Sequence, residues 1–211
     1  MRKSLAIALV LVLFALPLGA KFPSHLSSVR PLLSGDTNVC TAWSINERKG
    51  LWMTAAHCVV GLVVSEDQQA LRLVVDDHLF IADQHASVVK YDTDADLAML
   101  RADVHEPGLK LGAYPHVGDE VTVYGFPGGL RAPFATWLRV SNTFMKFGYP
   151  GEVGFMVLDG SVWPGHSGSP VIDRKGKAIA VVQAHGTDRF SGMTLVSPWD
   201  VLKGFVADQS E

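Results

Sequence analysis

The chain has 211 residues, 48% of them hydrophobic and 18% charged, which excludes a disordered chain and allows one domain or two small subdomains sharing an interface. The formal net charge is -3 and no long basic run occurs, which argues against a nucleic-acid groove.

The first twenty residues stand apart. Arg2 and Lys3 precede an uncharged run from Leu5 to Leu18, and Pro17 to Ala20 closes it. A basic start, a short apolar core and a small final residue read as a signal peptide over residues 1–20, cleaved after Ala20. The run is shorter than the roughly 20 residues a spanning helix needs. The expectation is a secreted or periplasmic protein with no stable membrane insertion after signal removal. Leu18 occupies a position where a small residue is preferred, so a retained N-terminal anchor stays open as the alternative. No cysteine follows the run, so lipid attachment there is not suggested.

Short apolar or alternating runs follow. Residues 39–45, 51–54, 71–75, 80–89 and 97–101 read as strands. Residues 106–118 carry Pro and Gly and no strand-like run. A second set lies at 121–125, 136–141, 155–158, 177–183 and 193–196. Many short strands separated by turn residues predict an all-β sandwich or barrel. The break divides the mature chain into units 21–110 and 111–211. One helix is expected at the C-terminus, with Ser197 as its cap, Pro198 at the first position and Asp200 in the first turn. Trp199, Leu202, Phe205 and Val206 form its apolar face, which should pack on the second unit.

There are two cysteines, Cys40 and Cys58. In an oxidising compartment such a pair persists as a disulfide, worth about 3 kcal/mol in the chain-entropy model. Two buried free thiols are the alternative. His78, His85, His105 and His116 are scattered in polar loops, and no spacing reads as a metal site. Neither a metal nor a cofactor is expected.

The chemistry concentrates in two short runs. Ser167 lies in Gly165-His166-Ser167-Gly168-Ser169-Pro170, where glycines permit a tight turn and close approach of a substrate backbone. Serine alone is a weak nucleophile and needs a base, and the base needs an orienting group. His57, in Thr54-Ala55-Ala56-His57-Cys58, is the candidate base. Asp96 abuts the apolar run Leu97 to Leu100 and is the candidate acid; Asp92 and Asp94 compete by proximity but read as a solvated turn.

The order His57, Asp96, Ser167, together with these two motifs, resembles the chymotrypsin-like (trypsin-fold) serine peptidases over roughly residues 36–205. Val117-Gly118-Asp119, Gly125-Phe126-Pro127-Gly128 and the loop from Asp159 to Pro170 are similar to the compact bacterial high-temperature-requirement proteases. Glutamyl peptidases share the Ser-Gly-Ser-Pro run. The resemblance implies two six-stranded antiparallel β-barrels with the active site between them, and a bare protease unit without a C-terminal peptide-binding domain.

It also implies an exported serine endopeptidase acting on protein or peptide substrates through an acyl-enzyme, with Gly165 and Ser167 N–H groups as oxyanion hole. The specificity pocket falls on Ser161, Val162, Ala184, His185 and Gly186. Without an acidic residue there, a medium apolar side chain is expected; His185 keeps an acidic side chain open as the alternative. His166 departs from the family pattern, in which the digestive enzymes place an aspartate before the nucleophile. That departure motivates a second expectation, a protease-fold binding protein with an impaired oxyanion hole. Oligomeric state and natural substrate are not readable from the residues.

Overall fold

The structure, a computed structural model, describes residues 27–64, 71–148, 152–187 and 190–207. The expected signal peptide lies outside the described residues.

The first barrel closes in the order β1-β2-β3-β8-β7-β6. Its strands are β1 (Val29–Ser34), β2 (Thr37–Asn46), β3 (Leu51–Thr54), β6 (Leu79–Ile81), β7 (Gln84–Asp92) and β8 (Leu97–Ala102). Between β3 and β6, β4 (Val60–Val64) and β5 (Leu71–Val75) form a separate two-stranded ribbon. The second barrel closes in the order β10-β11-β14-β13-β12-β9. It comprises β9 (Glu120–Gly125), β10 (Phe134–Met145), β11 (Phe155–Asp159), β12 (Pro170–Asp173), β13 (Ala178–His185) and β14 (Met193–Val196). Every pairing between these strands is antiparallel. The expected all-β architecture of two six-stranded barrels and one terminal helix is therefore the architecture found.

Three differences have physical causes. β1 does not show in the sequence because its buried residues, Val29 and Leu32, are three apart, and a register shift follows Leu32. That spacing breaks the period of two by which strands are read. The expected single strand over 80–89 is a hairpin, with Ile81 paired to Gln84 across Ala82 and Asp83. Both turn residues have positive φ, 47° and 62°, as a two-residue primed turn requires, yet neither is the usual Gly or Asn. The third difference is the helix, α1 (Trp199–Ala207). The Ser197 hydroxyl does not cap it but accepts the Val181 N–H at 2.9 Å, and the Pro198 carbonyl takes the first helical bond from Leu202.

The strand period partitions the core. Along β8, Ala98, Leu100 and Ala102 face the interior of the first barrel, while Leu97 and Met99 face a cluster shared by both barrels. β3 alternates likewise, Trp52 inward and Leu51 and Met53 into the shared cluster. From the second barrel Phe126, Ile172, Ala178 and Val181 join that cluster, as does Leu202 of the helix. Burial of each large apolar side chain here contributes about 1.5–3 kcal/mol. The helix is not confined to the second unit: the Lys90 ammonium of β7 donates to the Phe205 carbonyl at 2.6 Å and sits 4.3 Å from the Phe205 ring centre. Among the described residues no helix is long and apolar enough to cross a membrane.

Candidate active site

Two runs of the first barrel supply the candidate base and acid. Thr54 to Cys58 leaves β3 through a short 3-10 turn, Ala56–Cys58, whose Ala56 is buried. Cys58 is joined by a disulfide to Cys40 of β2, with Cα atoms 6.1 Å apart. The turn that carries His57 is thus covalently tied to a central strand.

Asp96 lies directly before β8 with φ of 48°, a left-handed conformation that aspartate tolerates better than most residues. Its carboxylate faces His57 with both oxygens. Oδ2 lies 2.8 Å from His57 Nδ1, and Oδ1 accepts the His57 main-chain N–H at 2.9 Å. A carboxylate only accepts, so Nδ1 carries the hydrogen and Nε2 keeps its lone pair toward the cleft. Asp92 does what its position in the sequence suggests: its Oδ1 accepts the N–H groups of Asp94 and Ala95, closing the turn.

Ser167 lies in the loop of the second barrel that precedes β12. Its loop is pinned to the first barrel by Thr41, the residue after Cys40. The Thr41 N–H donates to the Ser167 carbonyl at 2.8 Å, and the Thr41 hydroxyl donates to the Gly165 carbonyl at 2.8 Å. That hydroxyl also accepts the Phe126 N–H at 3.0 Å, and the Thr41 carbonyl accepts from the Thr54 hydroxyl at 2.8 Å. Sequence reasoning missed this threonine, because nothing local to β2 signals a bond to a loop more than a hundred residues away.

Two glycines are required by this packing. Gly168 has φ of 80°, and a Cβ there would fall 2.2 Å from both the Thr41 carbonyl oxygen and the Thr54 hydroxyl. Gly165 has φ of 96°, and its Cβ would lie 2.6 Å from the Phe126 carbonyl oxygen.

The Pro164 carbonyl accepts the Gly128 N–H at 2.8 Å. In a trans peptide the N–H opposes the carbonyl, so the Gly165 N–H points away from the Phe126–Gly129 turn. Among the described residues neither the Gly165 nor the Ser167 N–H donates to a protein acceptor.

His166 is fully buried. Its Nδ1 lies 3.3 Å from the Trp163 nitrogen and 3.2 Å from the Trp163 oxygen. Burial pushes its pKa below the ordinary histidine value, and the Trp163 carbonyl opposes that only partly.

Of the pocket candidates, Ser161, Ala184 and His185 are exposed and Gly186 is half-buried. The Val162 side chain packs into the core of the second barrel with Leu138 and Leu158. A cleft of about 390 Å³ opens beside His57 and Asp96 and is lined by Thr93, Asp94, Glu152 to Phe155, Gln183 and Ala184. The loop Glu152 to Phe155 carries no motif, and only the folded chain brings it to His57. Gln183 is buried and its Nε2 donates to the Ala95 carbonyl at 2.5 Å, bracing the turn that presents Asp96.

Comparison with known proteins places this geometry. The trypsin-like peptidase domain model matches residues 40–181, a span holding the disulfide, His57, Asp96 and Ser167. The chain is 28% identical over 182 residues to the chloroplastic protease Do-like 2 of Arabidopsis thaliana, covering 82% of this chain and 28% of that protein. It thus spans under a third of the length of that relative. By fold it is similar to the active form of the Rv3671c protease from M. tuberculosis, with a TM-score of 0.69 and 24% identity over 89% of this chain and 82% of that one. It is also similar to the serine endoprotease from Yersinia pestis, with a TM-score of 0.63 and 19% identity over 88% of this chain and 63% of that one. With more than half of its length matched by the family model and the same two-barrel fold in these neighbours, the chain belongs to the trypsin-like peptidase domain family.

Proposed function

We propose that the chain is an exported serine endopeptidase in which Ser167, His57 and Asp96 act as nucleophile, base and orienting acid. The observation that carries this reading is the doubly bonded His57–Asp96 pair, which leaves His57 Nε2 as the free basic atom of the cleft.

Ser167 Oγ attacks the scissile carbonyl carbon as His57 Nε2 takes its proton. The tetrahedral intermediate collapses to an acyl-enzyme as the C–N bond breaks, and His57 delivers the proton to the leaving amine. Water, deprotonated by His57, then attacks the ester, and the proton returns to Ser167. Asp96 stays ionised and stabilises the imidazolium that forms in each half. The oxyanion is held by the N–H groups of Gly165 and Ser167. Their lack of a protein acceptor, and the engagement of Pro164 by Gly128 rather than by Ser167, support a preformed hole. Losing one such donor costs about 3–4 kcal/mol of transition-state stabilisation. These same features weigh against the alternative of a binding protein with a blocked hole.

A medium apolar side chain before the scissile bond fits the neutral pocket residues Ser161 and Ala184. His185 is exposed and supports an acidic residue as the second reading. The basic, apolar and small-residue order of residues 1–20 supports export.

A fluorophosphonate probe tests the reading. Labelling of the folded chain that disappears in Ser167→Ala and drops at least about 100-fold in His57→Ala supports it. No labelling of the folded, unsubstituted chain would sink it. Peptide-library profiling decides between the apolar and acidic preferences.

A further inference from the structure

Among the described residues His166 is the one histidine that is wholly buried, and the proposed catalysis makes no use of it. Its place is unusual in three respects. Its ring sits among apolar and neutral groups: the Trp163 ring at 6.0 Å and the Phe134 ring edge-on at 6.4 Å. Its Cδ2 packs so closely on Gly125 that a Cβ at that glycine would lie 3.0 Å away. Its Nε2 is buried and, among the described residues, has no hydrogen-bond partner.

The ring is joined through its own backbone to one proposed oxyanion donor, the Ser167 N–H, and to the carbonyl of Gly165, the residue that carries the other. The Ser167 N–H belongs to the peptide that His166 begins, and the Gly165 carbonyl that holds Thr41 belongs to the peptide that His166 completes. A rotation about the His166 backbone therefore turns the Ser167 N–H and releases Thr41 in the same motion.

We propose that His166 is a positioning residue for the oxyanion hole, whose neutral buried ring locks the Gly165–Ser167 backbone and whose protonation opens that loop. This rests on the reading of Gly165 and Ser167 as oxyanion donors. In either neutral tautomer the ring makes one bond, through Nδ1 to Trp163. A second proton puts a charge where, among the described residues, no charged group compensates it. Thr41 from β2, Gly125 from β9, Phe134 from β10, and Trp163 and Ser169 from the same loop surround the site, and none of them is charged. The Trp163 carbonyl can accept from Nδ1, but a buried imidazolium with no acceptor for its Nε2 proton is unstable, so the cation is accommodated by moving the ring to water.

The direction follows from linkage. In the opened loop the ring takes the ordinary value of about 6.5. In the closed loop burial holds it lower. The open form binds the proton more tightly, so the locked loop is fully favoured above the ordinary value and lost as pH falls through the depressed one. The ratio of closed to open falls by up to about tenfold per pH unit in that window.

The test uses the full chain with His57→Ala and His185→Ala, which suppresses proteolysis and removes the other two histidines assigned to the site. The backbone amide resonances of Gly165 and Ser167 are followed by nuclear magnetic resonance from pH 8 to 4.5. Both are expected to shift together with the His166 ring, with a midpoint below about 6.5, and to stay flat when His166→Leu is added. Amides that do not move with the His166 ring, or that move equally once His166→Leu is added, overturn the proposal. Should the chain with His166→Leu not fold, the titration of its parent decides alone. Fluorophosphonate labelling of the unsubstituted chain at pH 7.5 separates the two readings: labelling without the amide titration sinks only the role of His166, whereas no labelling sinks the peptidase reading beneath it.

Discussion

Asp96 concentrates several requirements in one residue. It holds a left-handed backbone, ends a turn closed by Asp92, and spends one oxygen on the His57 ring and the other on the His57 main chain. Asn in its place keeps the volume and tolerates the same φ, but an amide cannot offer two accepting oxygens. Asp96→Asn is therefore expected to leave the fold intact and to lower kcat/KM about 10³–10⁴-fold, because the imidazole loses both its tautomer and its counter-charge. Steady-state kinetics beside a circular-dichroism melt checks both halves of that statement. At this scale much was readable in advance. Asp96 could be chosen over Asp92 and Asp94 because it alone abuts the apolar strand. Thr41 could not, since a threonine in a β-strand has many uses, and its four bonds are visible only once residues 41, 54, 126, 165 and 167 share one place.

The loop that carries Ser167 behaves as an element of its own, built from turns rather than from repeating structure. Its shape is imposed by the bonds to Thr41 and by the Gly168 N–H donating to the Val182 carbonyl at 2.8 Å. Gly168→Ala puts a methyl 2.2 Å from two oxygens of the first barrel. Left-handed backbone alone costs a non-glycine residue roughly 1–2 kcal/mol. The contact adds to this, so the thermal midpoint should drop and probe labelling should be lost. Gly35→Ala is the matched comparison: its φ is also positive, at 56°, but nothing lies within 4 Å of the added Cβ. It should lose only the backbone part and keep its labelling. Equal losses in the two variants would show that the close fit against Thr41 and Thr54 is unimportant. Elements were legible where a short apolar run stands between turn residues, as in β3 and β8. They were hidden where a Pro, a register shift or an unusual turn breaks the period, as in β1 and the Ala82-Asp83 hairpin.

Over the whole molecule, both barrels and the helix contribute side chains to one shared cluster. β8 sends alternate residues into two different cores, and the helix reaches back to β7 through Lys90. Met99 lies in that shared cluster and is fully buried. Met99→Ala is expected to cost about 2–5 kcal/mol. It should lower a single cooperative transition, reported alike by near- and far-ultraviolet circular dichroism. Two separated transitions, one per barrel, would contradict the shared-core argument.

Taken by itself, the sequence determined the all-β class, the two sets of strands, the cysteine pair, and the candidates His57, Asp96 and Ser167. Each of these is written locally, as a period of two, a turn residue or a motif of a few positions. Only the tertiary structure decided how the Ser167 loop is held, which loop walls the cleft beside His57, and that His166 is buried with no charged neighbour among the described residues. Those properties depend on contacts between distant residues: the Thr41–Gly165 bond spans 124 positions and the Gln183–Ala95 bond 88. No local pattern encodes such a contact, because its free energy is set by the closing of two barrels onto one common core.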